Sequence, residues 1–169
     1  APIRSIEELY DCQADPQNLN NLTASQEHQK ILKRLRGAHR KHISQTADLG
    51  FLPESEAWEM FSKQTGWAMG QSGKVQLGPI HKAAAQVGSA DEKAFLKNLA
   101  LKNANVRYWG AIGLGAHKVI SEKAKQTLRN KLKDISPAVR IEAANALARH
   151  GETKTAVATL MEVLEHENQ

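Results

Sequence analysis

Two stretches in the C-terminal half of the chain repeat one another at a spacing of 33 residues. Aligning Val106-Arg107 with Val139-Arg140 brings Ala111 onto Ala144, Leu114 onto Leu147, Phe95 onto Leu128 and Leu99 onto Leu132. Each unit reads as a helix, a short turn, and a second helix led by Val-Arg. In the second unit the pattern predicts a first helix over 123–133, a turn at Asp134-Ile135-Ser136-Pro137, and a second helix over 138–150. Pro137 suits the first turn of that helix, where an N–H has no partner to lose, and Gly151 supplies its stop. A further unit opens at Thr155, with Val157, Leu160, Met161 and Leu164 expected on its inner face; a weaker earlier one opens at Ile80, with Ala83, Ala84 and Val87 apolar. Gly110, Ala111, Gly113 and Gly115 leave little side chain on the first unit's second helix, so neighbouring helices can approach closely there.

A helix pair of this size cannot bury its apolar face alone, and stacking such pairs builds a quasi-linear core. The expected fold is therefore all-α: an α-solenoid of about two and a half helix pairs, preceded by an extended arm and a long amphipathic helix. The last pair lacks its second helix, which makes the chain read as part of something longer. The expected organisation is residues 1–63 as an N-terminal segment, 64–79 as a Gly-rich loop, and 80–169 as the repeats with the last one truncated.

Charge is concentrated in one place. The chain carries 23 Lys and Arg against 18 Asp and Glu. Lys30, Lys33, Arg34, Arg36, Arg40 and Lys41 crowd between Ser25 and Thr46 with only Glu27 opposing them, which accounts for the whole net charge of +5. Ile31, Leu32, Leu35, Ala38, Ile43 and Ala47 recur at helical spacing in the same stretch. Thr23 and Gln26 resemble a capping box at its start, and Gly50 marks its end. The six cations are a candidate anion-binding surface, to be weighed against an ordinary solvated helix face. No aromatic residue interleaves them to stack on bases, so a nucleic-acid partner is not expected. A stand-alone nucleic-acid-binding or adaptor module using helix 25–46 is the alternative function.

Asp134-Ile135-Ser136-Pro137-Ala138-Val139-Arg140, followed by Ala143-Ala144 and Ala146-Leu147, resembles the HEAT-type helical repeat. The resemblance implies a structural role for Asp134, Pro137, Arg107 and Arg140, with the turn Asp and the Arg after Val bonding along the stack. The first unit departs from the pattern, since Asn103 and Asn105 hold its turn. Further upstream, Glu8-Leu9-Tyr10-Asp11, Asp15-Pro16 and Leu19-Asn20-Asn21-Leu22, then Thr46-Ala47-Asp48-Leu49-Gly50-Phe51-Leu52-Pro53-Glu54, resemble the C-terminal subdomain of bacterial sulfatases that carry HEAT-like repeats. Cys12 stands where that family usually has Leu. This second resemblance implies that residues 1–63 are the C-terminal segment of a sulfatase-like domain, with an upstream catalytic domain in the same polypeptide, a parent enzyme that hydrolyses sulfate esters of carbohydrates, a formylglycine and a divalent metal such as calcium in that parent, and a periplasmic or secreted location for it.

The chemistry itself does not extend into this chain. A formylglycine is made within Cys-x-Pro/Ala-Ser-Arg, whereas Cys12 precedes Gln13-Ala14-Asp15-Pro16. No catalytic, metal or cofactor residue is therefore assigned, and the chain is expected not to be an enzyme. Cys12 reads as a small core residue, and its single thiol can form no disulfide within the chain. His39 and His42 read as helix-packing residues. Apolar runs fall far short of the roughly 20 residues a membrane span needs. Phe51, Trp58, Phe61 and Trp67 cluster within 17 positions, and a short helix from Glu54 is expected to turn Trp58 and Phe61 inward as a core joint; the alternative is a contact surface for a catalytic domain or a carbohydrate-stacking platform. The expected role is scaffold or interaction module, with a protein partner on the solenoid.

Overall fold

The computed structural model describes residues 5–167, which form nine α-helices and no strand among them. Two compact units divide between Asp48 and Leu49.

The first unit is an arm and a helix. Residues 7–11 form no regular element, and a turn begins at Cys12. Side-chain oxygens organise the loop instead. Asp11 Oδ1 accepts from the N–H groups of Gln13 and Ala14 at 3.0 and 3.1 Å, and Asp15 Oδ2 accepts from Asn20 N at 2.7 Å. Asn21 ties the arm down: its Oδ1 accepts from Leu9 N and Thr23 N, both at 3.1 Å, and its Nδ2 donates to the Glu7 carbonyl at 3.0 Å. A 3-10 turn, Leu22–Ala24, follows, and α1 runs over Gln29–Thr46. The capping box expected at Thr23 and Gln26 does not form, because Asn21 caps the 3-10 turn and the helix begins only after His28, whose Nδ1 lies 2.8 Å from Ser25 Oγ. Ala47, in the left-handed region at φ 49°, ends α1 three residues before Gly50.

The second unit is helical throughout. α2 (Glu54–Phe61) and α3 (Gly66–Gln71) lead to α4 (Leu77–Ala84), and then come the pairs α5 (Glu92–Leu99) with α6 (Ala104–Ala116) and α7 (Glu122–Lys131) with α8 (Pro137–Arg149), followed by α9 (Thr153–Glu167). Helices α5 to α8 each open on an oxygen cap: Asp91, Asn103, Ser121 and Ser136 each accept from the N–H three residues on. α6 and α8 pack side by side as the inner layer, with α5 and α7 each against its own partner. Phe95, Leu99, Leu114, Leu128 and Leu147 are fully buried in one core, and the register that aligned them in the sequence puts them at equivalent places in the stack. A second cluster, Leu52, Ile80, Ala83 and Val106, seats α4 on the start of α6.

Three local readings change. The 64–79 stretch is not a loop throughout: Thr65 Oγ1 accepts from Ala68 N and starts α3, and α4 begins at Leu77. In α2 the half-buried side is Ala57 and Met60, while Trp58 is 66% exposed; Trp67 is 77% exposed. Only Phe51 of the four clustered aromatics is deeply engaged, edge-on to His81 and near Trp109, whose Nε1 donates to the Phe51 carbonyl at 2.8 Å. The third change lies in α9, which turns Ala156, Thr159 and Val163 toward α8 and leaves Val157, Met161 and Leu164 about half exposed. The short Ala156 and Thr159 side chains let that face lie close to α8. Cys12 is exposed, as are His39 and His42, so none of these three is a core residue. Among the described residues no helix is long and apolar enough to cross a membrane.

Candidate functional site

The described residues include a buried ion pair between the two helix pairs and an exposed cationic face on α1.

The Val-Arg dipeptide places Arg107 in the first turn of α6, against the turn that opens α8. Its Nε and Nη2 donate to the two oxygens of Asp134 at 2.8 and 2.6 Å, a bidentate pair with side chains only 8% and 4% exposed. The remaining Nη1 donates to the carbonyls of Leu101 and Lys102 at 3.0 and 2.6 Å. Asp134 also accepts from Ser136 N at 3.1 Å and from Lys131 Nζ at 3.2 Å. Burial pushes the Asp134 carboxyl up, but Arg107, the Ser136 amide and Lys131 together outweigh it and hold the group below the ordinary carboxylate range. Every polar atom of the pair has a partner, the condition under which a buried ion pair is tolerated. Pro137 opens α8 beside it, and Ser136 Oγ donates to Glu56 Oε1 at 2.6 Å, fastening α2 to the same turn. Arg140 occupies the position of Arg107 one repeat on, yet its buried Nε has no partner among the described residues. Among the described residues no group of three His, Cys, Asp or Glu side chains could hold a metal ion, and the pair's own oxygens and nitrogens all have partners within the fold.

The match to known families falls on this part of the chain. Residues 92–169 match the HEAT repeats family. The matched segment begins at α5 and runs through α9, and the all-α fold is there an α-solenoid of two helix pairs and a further helix. That match is to a repeat type suggestive of a helical scaffold or interaction module, and the Arg107–Asp134 bridge joins the two helix pairs of the matched segment. No curated protein and no solved structure matches the chain.

The cationic face lies outside the matched segment. On α1, Leu32 and Ile43 are buried while Lys30, Lys33, Arg34, Arg36, Arg40 and Lys41 are all exposed. At about 100° per residue, Lys30, Lys33, Arg34, Arg40 and Lys41 fall within an arc of about 120°, running about 16 Å along the axis. Arg36 falls at its edge and is diverted: its Nε donates to Glu7 Oε1 at 2.8 Å, and that contact holds the Glu7 carboxyl below its ordinary range. Gly37 sits mid-arc, where an added Cβ would touch nothing within 4 Å, so the backbone is open between the charges. The other five make no ion pair among the described residues. Charge counting in the sequence found the six cations, but the loss of Arg36 to Glu7, 29 residues away, had no sequence signal.

Proposed function

We propose that this chain is a non-catalytic scaffold and interaction module carried by a sulfatase-type hydrolase, with the catalytic domain upstream in the same polypeptide. The observation that carries the reading is the use made of the residues shared with the sulfatase C-terminal segment. Asp11, Asp15 and Asn21 each spend their side-chain oxygens on backbone N–H groups of the arm. Those residues build a joint rather than a reaction centre, and HEAT repeats follow it. The chain's own residues do not fit a formylglycine or its metal: Cys12 lacks the Ser and Arg of the maturation motif and bonds only weakly, to Asn18 Oδ1 at 3.8 Å. In the parent, formylglycine would supply the hydrated aldehyde that attacks sulfur and a divalent cation would bind the sulfate, both from the catalytic domain.

The test is the coding sequence upstream of Ala1 together with an assay. A Cys-x-Pro/Ala-Ser-Arg motif is expected a few hundred residues before this segment, and the 169-residue chain alone is expected to leave an aryl sulfate unhydrolysed. An upstream sequence without that motif removes the parent assignment, and turnover by the isolated chain removes the non-catalytic role.

A second reading is favoured by the arc of five cations on α1. In it, α1 holds a sulfated polysaccharide along its axis, with sulfates over Gly37. Retention on immobilised heparin should fall steeply with salt, and Lys33→Glu with Lys41→Glu should abolish it at 0.15 M salt, roughly one Debye length of 8 Å. Equal retention on duplex DNA of matched charge density would instead favour the nucleic-acid alternative.

A further inference from the structure

α4 and α5 both sit on α6 but scarcely touch each other, and the space between them is a groove of about 620 Å³. Lys82 on α4 and Lys93 and Lys97 on α5 line it. All three are exposed, and none makes an ion pair among the described residues. The one carboxylate in the lining, Asp91, has its Oδ1 engaged by Ala94 N as the cap of α5. Asn98 Nδ2 donates to Gln86 Oε1 at 2.8 Å across the groove. Gln86 Nε2 and Asn98 Oδ1 make no hydrogen bond among the described residues, which leaves the pair a donor and an acceptor to offer. Leu101, 49% exposed, is also in the lining, an apolar side chain with no cover on half its surface.

We infer that this groove binds an extended acidic peptide segment of a protein partner, its carboxylates on Lys82, Lys93 and Lys97, one main-chain amide on the Gln86–Asn98 pair, and an apolar side chain on Leu101. Charge selects the occupant: three unpaired ammonium groups around a channel with a single, already engaged carboxylate repel a basic segment and attract an acidic one. The inference goes beyond the sulfatase reading and stands whether or not a hydrolase precedes the repeats.

The test is fluorescence anisotropy of the full 169-residue chain with a fluorescein-labelled peptide, Glu-Asp-Leu-Glu-Asp-Leu-Glu, against its Gln/Asn counterpart. The acidic peptide should bind at least about tenfold more tightly than the neutral one, equivalent to 1.4 kcal/mol. Lys82→Glu with Lys97→Glu should weaken it by about tenfold or more, and Ala94→Trp, which fills the wall without altering charge, should do the same. Lys33→Glu with Lys41→Glu on α1 should leave it unchanged. Equal binding of the neutral peptide, loss only with the α1 variant, or indifference to Ala94→Trp would each overturn the inference. As a readout independent of variant folding, titration of the unaltered chain should shift backbone amide resonances within 82–86 and 93–101; shifts confined to α1 would also overturn it.

Discussion

Asp134→Ala should cost about 3–5 kcal/mol, because it leaves the Arg107 guanidinium buried without its counter-charge. That is a large part of the roughly 5–15 kcal/mol that holds an ordinary domain folded. The two Leu101 and Lys102 carbonyls keep one nitrogen of Arg107 satisfied, but Nε and Nη2 lose both partners, and Ser136 N loses its acceptor as well. Replacing both members by apolar residues, Arg107→Met with Asp134→Leu, should recover most of the loss, since no uncompensated charge remains. The urea midpoint reads both, and a double variant no more stable than Asp134→Ala would show that the pair is needed for more than charge balance. The same pair predicts an acid limit. The Asp134 carboxyl titrates lower in the folded chain than in the unfolded one, so its contribution is complete above the unfolded value near 3.9 and is lost as pH falls through the folded value. The Asp134→Asn variant should therefore show a flatter loss of stability below about pH 4 than the unaltered chain.

What was readable in advance follows the strength of the local rule. The 33-residue register was legible because Phe95, Leu99, Leu128 and Leu132 lie on helices whose apolar spacing is undisturbed, and all four lie within or against one core. Arg107 and Asp134 are 27 residues apart, so nothing in their spacing joins them; they were singled out through the HEAT resemblance. Reading failed where two faces of a helix were both apolar. In α9, Val157, Met161 and Leu164 carry more apolar surface than Ala156, Thr159 and Val163, yet the smaller set faces α8 because it lets the backbones approach. In α2 the bulkier Trp58 likewise stays outside, its Nε1 donating to Glu54 Oε1 at 3.2 Å, while Ala57 and Met60 pack inward. α3 was hidden by its glycines, although Thr65 is a cap that four-residue spacing to Met69 turns into a helix. The cationic face was legible in composition, but its narrowing to five charges depended on the Glu7 contact, which only the fold of the arm provides.

Gly113→Val should destabilise the solenoid by about 3 kcal/mol or more, at or beyond the upper end of ordinary overpacking. A Cβ at Gly113 would fall well inside contact distance of three ring carbons of Phe95, and that ring has nowhere to go. Phe95 is fully buried, sits in the main core, and stands edge-on to His117 at a centroid separation of 5.6 Å. Even Gly113→Ala should be destabilising, although alanine is the better helix former by about 1 kcal/mol. Gly37→Ala supplies the opposite case within α1: its Cβ would meet nothing within 4 Å, so the propensity gain should appear as higher helicity. The two glycines have the same residue type and both lie within helices, so propensity alone predicts the same sign for both. Opposite signs in thermal melts followed by circular dichroism are the expected result. Phe95→Ala, expected to cost about 3–5 kcal/mol by itself, should relieve much of the Gly113→Val penalty, making the pair strongly non-additive. Additive losses would mean that the ring and the glycine are not in contact, and that α5 and α6 are held apart by something other than this side chain.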